Sequence, residues 1–131
     1  MVIDSSALVA IILGEPLAPA LLGAIRAART RELCSVSLLE TGIVLVARLG
    51  ARSLPSLDKL IEDIDCEIVP FDASQGKAAM AAFARFGKGM GHRAQLNLGD
   101  CAVYALAAIR GEPVLATGGD FRATDLSVVA F

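Results

Sequence analysis

The chain has 131 residues, with 12 Lys and Arg against 14 Asp and Glu and a net charge of −2, which suits one domain and argues against bulk electrostatic binding of nucleic acid. Hydrophobic residues make up 55%, above the roughly 45–50% of ordinary soluble domains, and this aliphatic surplus predicts an oligomer or a protein partner. Cys34, Cys66 and Cys101 form no CxxC pair and read as buried thiols of a reducing, cytoplasmic compartment; no apolar run reaches about 18 residues, so no signal peptide or membrane span is expected.

The opening apolar run predicts a strand over residues 2–4, followed by a helix over 6–13. Leu17, Leu21, Leu22 and Ile25 recur at helical spacing, which predicts a helix over 17–29. A short strand is expected over 33–36, then a helix opened by Ser37 that runs to Leu49 and stops at Gly50, then another helix over 53–64. Residues 67–71 alternate like a strand, and Asp72 can cap the next helix with Gln75 in reciprocal position, the helix ending near Phe86. Gly87 to Arg93 holds three glycines with Lys88, His92 and Arg93, and reads as a mobile basic loop. Asn97-Leu98-Gly99 introduces a helix over 100–110, a buried strand follows over 113–116, a turn over 117–120, and a last strand over 126–130. Strands alternating with helical stretches predict an α/β domain of three layers, helices on both faces of a central parallel sheet, spanning 1–131 without a linker.

Four acids fall at strand ends or helix starts: Asp4, Glu40, Asp100 and Asp120. Each has an ordinary explanation by itself. Asp4 and Asp100 suit helix capping, Ser37-Leu38-Leu39-Glu40 matches a capping box, and Asp120 sits in a glycine-rich turn. Together they place like charges at one edge of one sheet, where open α/β folds bind ligands. Such a cluster calls for a cation, and hard oxygen donors point to Mg²⁺ or Mn²⁺. The helix behind Asp100 is apolar nearly all round, so its carboxylate needs a strong partner. Asp125 is placed to support the site from behind. Lys88, His92 and Arg93 offer phosphate contacts, though the glycines around them lack the strand-to-helix context of a nucleotide fingerprint.

The stretches Val2 to Ala10, Ser37 to Glu40, Asn97 to Ala107, and Gly119-Asp120-Phe121 with Thr124-Asp125 resemble the PIN-domain ribonucleases, and more closely the VapC toxins of bacterial toxin–antitoxin pairs. The resemblance runs in order along the whole chain. It implies a Mg²⁺- or Mn²⁺-dependent endoribonuclease with Asp4, Glu40, Asp100 and Asp120 at the four acidic positions. It also implies a homodimer inhibited by a VapB-like antitoxin whose tail covers the active site. Ser5, where many relatives carry Thr, keeps a hydrogen-bonding hydroxyl beside Asp4; Asn97 and Asp125 support the site. Lys88, His92, Arg93 and Arg122, with Arg85, ring it for RNA phosphates or an acidic antitoxin tail. The rival readings are non-catalytic: a receiver-like signalling module, which needs a late Lys that this chain lacks after Arg93, or an α/β interaction module.

Overall fold

A computed structural model describes all residues, 1–131. Four short strands, β1 (Val2–Ile3), β2 (Glu32–Cys34), β3 (Glu67–Val69) and β4 (Val114–Leu115), form one wholly parallel sheet in the order β3-β2-β1-β4. Six helices connect them: α1 (Ser5–Ile12), α2 (Ala18–Ala27), α3 (Ser35–Leu49), α4 (Leu54–Asp63), α5 (Ala73–Phe86) and α6 (Leu98–Arg110).

Side-chain alternation along the strands separates two cores. Val2, Cys34 and Val114 join Phe86, Val103 and Leu106 under α5 and α6. Their neighbours Ile3, Leu33 and Leu115 join Leu8, Leu21, Leu45 and Leu57 under α1 to α4. The expected three-layer α/β/α architecture follows from this. No helix is long and apolar enough to cross a membrane.

Several local expectations change. The α3 helix begins at Ser35, two residues early, because β2 runs straight into it and Cys34 takes the N-cap position without a side-chain bond. The Ser35 hydroxyl is used elsewhere, accepting the Phe71 amide at 3.0 Å. Asp72 does accept the Gln75 amide at 2.9 Å, but the buried Gln75 side-chain oxygen has no partner, so the reciprocal bond is not formed. The expected last strand shrinks to a single parallel bridge, Val114 to Val128. Residues 87–97 form a loop that is largely exposed but anchored to the core at a few points. Gly87 bridges Leu96, Ala94 and Leu96 are fully buried, and His92 sits edge-on to the Phe86 ring with its Nδ1 accepting the Ala94 amide at 3.0 Å.

The helix that carries Asp100 is the best-buried helix, with eight of its 13 residues buried, and Gly111 ends it in the left-handed conformation at φ 64°. Leu106 is wholly buried. Leu106→Ala is expected to cost about 2–5 kcal/mol, read as a lower urea midpoint at unchanged slope.

Candidate active site

The sheet order runs outward from β1 through β2 to β3 and then returns to place β4 on the other side of β1. This is a topological switch point, and the crevice outside the carboxyl ends of β1 and β4 is where such folds bind ligands. Asp4 leaves β1 at that crevice, and the turn holding Asp120 leaves β4 there.

Asp4 is the N-cap of α1, with an extended backbone. Its Oδ2 accepts the Ser6 amide at 3.0 Å and the Ser6 hydroxyl at 2.5 Å. Ser6 Oγ in turn accepts the Thr117 amide at 3.1 Å, so one hydroxyl ties the exit of β1 to the exit of β4. Asp4 is only 5% exposed, and burial pushes its carboxyl above the usual range against the opposing effect of the Ser6 bonds.

Asp100 stands at the third position of α6 in a complete capping box: Asp100 Oδ2 accepts the Asn97 amide at 2.9 Å and Asn97 Oδ1 accepts the Asp100 amide at 2.8 Å. Burial, opposed by the Asn97 bond and reinforced by the charges of Asp4 and Asp120, pushes Asp100 up to about 6. Glu40 projects from the second turn of α3 and lies against Gly99; a Cβ built on Gly99 would come within 2.6 Å of Glu40 Oε1. Burial first, then Asp4 and Asp100, raise the Glu40 carboxyl. Asp120 is exposed and opens a 3₁₀ turn, Asp120–Ala123, anchored by the buried Phe121.

The four acids therefore share one electrostatic neighbourhood, and none of the five ion pairs of the protein includes any of them. Asp4 and Asp100 each bind the backbone through Oδ2 only, so Oδ1 of each accepts no hydrogen bond from the protein. Hard, anionic oxygens without a protein cation suit a divalent ion such as Mg²⁺ or Mn²⁺. No three of these acids are grouped closely enough to hold a metal ion in this structure; Asp4 and Asp100 each have one carboxylate oxygen bonded to a helix start.

Some expectations shift within the site. The hydroxyl that holds Asp4 belongs to Ser6, because a side chain two residues into the helix faces the capping carboxylate, which accepts that residue's own amide. Glu40 caps nothing, since α3 starts too early for Ser37 to be its N-cap. Asp125 does not touch the four acids but pairs with Tyr104 and Arg85. Lys88, Arg93 and Arg122 are exposed and ion-pair with no acid, whereas His92 is engaged inside its loop. Sequence reasoning missed Ser6 and Gly99. A hydroxyl two residues past a capping Asp was a usable signal for the first; nothing local marked the second.

The PIN domain family matches the chain over residues 1–126. It is 46% identical over 129 residues to Ribonuclease VapC of Mycolicibacterium smegmatis, covering 98% of this chain and 99% of that protein. It is 44% identical over 130 residues to Ribonuclease VapC30 of Mycobacterium tuberculosis, covering 99% and 98%. Among solved structures, Mycobacterium tuberculosis VapC20, a Sarcin-Ricin loop cleaving toxin, shares the fold with a TM-score of 0.80 at 17% identity over 98% of this chain and 97% of that one. A chain from a toxin-antitoxin complex of Klebsiella pneumoniae does so with a TM-score of 0.73 at 14% identity, covering 99% and 97%.

Two measurements check the site. Gly99→Ala meets only the end of the flexible Glu40 side chain, so its effect on thermal unfolding is expected to be small and to turn more favourable in a Glu40→Ala background; equal effects in both would break the Gly99–Glu40 contact. Asp100 binds its proton more tightly folded, up to about 6, than unfolded, near about 4. Its contribution to stability is therefore full below the unfolded value and lost as pH rises through the folded one. The melting temperature of metal-free protein should rise by a few degrees from pH 7 to pH 5 relative to Asp100→Asn, which should already be the steadier protein at pH 7.

Proposed function

The chain belongs to the PIN-domain family, and on that premise we propose that it is a divalent-metal-dependent endoribonuclease of the VapC kind, the toxin of a toxin–antitoxin pair. The observation that carries the chemistry is the unpaired carboxylate cluster at the β1/β4 switch point, with Asp100 pushed up to about 6 by burial and by its neighbours. Asp4, Asp100 and Asp120, completed by Glu40, would hold Mg²⁺ or Mn²⁺, which supplies charge neutralisation at the scissile phosphate and a more acidic water.

The protein groups divide the remaining work. Ser6 fixes Oδ2 of Asp4 and leaves Oδ1 without a hydrogen bond from the protein. Asn97 does the same for Asp100. Glu40, whose proton affinity is raised by burial and by two neighbouring acids, accepts the proton of the attacking water. Attack at phosphorus breaks the bond to O3′, the leaving oxygen takes up a proton, and the products are a 5′-phosphate and a 3′-hydroxyl. Lys88, Arg93 and Arg122 are exposed cations free to meet RNA phosphates or an acidic antitoxin tail.

Two apolar grooves suit protein partners. One of about 660 Å³ is lined by Val36, Phe71, Met80, Phe83, Leu98 and Ala102 from α3, α5, α6 and the β3–α5 connection. The other, about 760 Å³, lies between α3 and α4 over Leu39, Ile43, Val46, Leu54 and Leu57. Leu39, Ile43 and Val46 of α3 are exposed, whereas Leu21 and Ile25 of α2 are spent in the core. We assign these faces to a second copy of the chain and to the antitoxin.

Incubation of purified protein with RNA and Mn²⁺ should yield 5′-phosphate and 3′-hydroxyl ends, EDTA should stop the reaction, and Asp100→Asn should lose about 100-fold or more. Products ending in 2′,3′-cyclic phosphate, or full cleavage in EDTA, would contradict the proposal. Light scattering at tens of micromolar should give a dimer; a clean monomer would remove the second-copy assignment without touching the chemistry.

A further inference from the structure

The acid that the fold holds least firmly is Asp120. Gly118, Gly119 and Asp120 are all exposed, and a side chain added at either glycine would meet nothing within 4 Å. This turn is tied down at its two ends. At its start the Thr117 amide donates to Ser6 Oγ at 3.1 Å. At its far end, beyond the buried Phe121, the chain reaches Asp125, and there the structure shows a polar clamp outside the acid cluster. The Tyr104 hydroxyl, on the 7%-exposed Tyr104 of α6, donates to Asp125 Oδ1 at 2.6 Å. Arg85, from the last turn of α5, donates to Asp125 Oδ2 at 3.1 Å and lies 4.4 Å above the centre of the Phe86 ring. Arg85 also reaches the Tyr104 oxygen at 3.5 Å.

An exposed Arg–Asp pair alone contributes little. Here the charge-assisted bond from a buried tyrosine fixes one carboxylate oxygen against the best-buried helix, and the arginine fixes the other in an orientation already set by its stacking on Phe86. Tyr104 lies one helical turn from Asp100 on the same helix, α6. The clamp therefore references the far end of the Asp120 segment to the helix that carries Asp100.

We propose that Tyr104 and Asp125, braced by Arg85, are positioning residues that set where Asp120 stands relative to Asp100, and so complete the cation site at a distance. The effect on cation binding rests on the metal-centre reading given above; the mechanical link does not.

The test uses Tyr104→Phe, which keeps the buried ring and removes only the hydroxyl, with Asp125→Asn as a second variant. In metal-free protein, hydrogen exchange of the Arg122 and Thr124 amides, which donate to Gly119 and Phe121 within the turn, should speed up about fivefold or more while amides inside α6 keep their rates. Unchanged exchange in both variants overturns the proposal outright. With Mn²⁺ as the probe, Tyr104→Phe should weaken binding roughly tenfold in the parent and have no further effect in an Asp120→Asn background. Equal losses in both backgrounds would show that the tyrosine acts by some route other than Asp120, and would overturn it also. If the parent protein takes up no Mn²⁺ while exchange still speeds up, the metal reading fails and the clamp stands.

Discussion

Burial of carboxylates beside one another, with burial the larger effect and mutual repulsion the smaller, is the constraint on which the rest of this structure turns. A pair of unit charges 4 Å apart costs on the order of 4 kcal/mol at an effective dielectric of 20, and a domain of this size has little more than about 5–15 kcal/mol of stability to set against it. The fold tolerates the cluster in three ways. Asp4 and Asp100 are capped by their own helix starts. Asp100 is pushed up to about 6, so that it sheds part of its charge near neutral pH. Asp120 stays exposed, where water screens it. Each device is reversible, so a divalent ion can replace it.

The carboxyl edge of the sheet explains why these acids meet. Two helix–sheet cores, divided by strict alternation along strands only two or three residues long, hold the β1, β2 and β4 exits in register. The α6 helix, buried on nearly every side, delivers Asp100 from the core under α5. Ser6 then crosslinks the β1 and β4 exits through a single hydroxyl. At Gly99 the absence of a side chain gives the Glu40 carboxylate its place.

Much of this was legible in the residues because junction chemistry is local. Asp4 after an apolar run and Asn97 three residues before Asp100 announce strand-to-helix and loop-to-helix transitions, and both behave as read. The start of α3 reads as Ser37 because the serine-to-glutamate spacing of a capping box is the same wherever a helix starts, whereas β2 sets it at Ser35. The glycine-rich 87–97 loop reads as mobile from composition, yet the burial of Ala94 and Leu96 and the His92–Phe86 contact are tertiary facts. The choice between Ser5 and Ser6 depends on helix phase, which the two-residue spacing from the capping Asp4 could have signalled, whereas the partnership of Tyr104 with Asp125 spans 21 positions and no local pattern encodes it.

The claim underneath all of this is that the cluster is an incomplete cation site whose protons stand in for the missing charge. Calorimetric titration of Mn²⁺ in buffers of different ionisation enthalpy counts the protons expelled on binding. With Asp100 near 6, binding at pH 6 should release about half a proton or more per protein, the release should fall toward zero by pH 8, and Asp100→Asn should abolish most of it. No binding at all, or binding without proton release at pH 6 that Asp100→Asn leaves unchanged, would contradict the account.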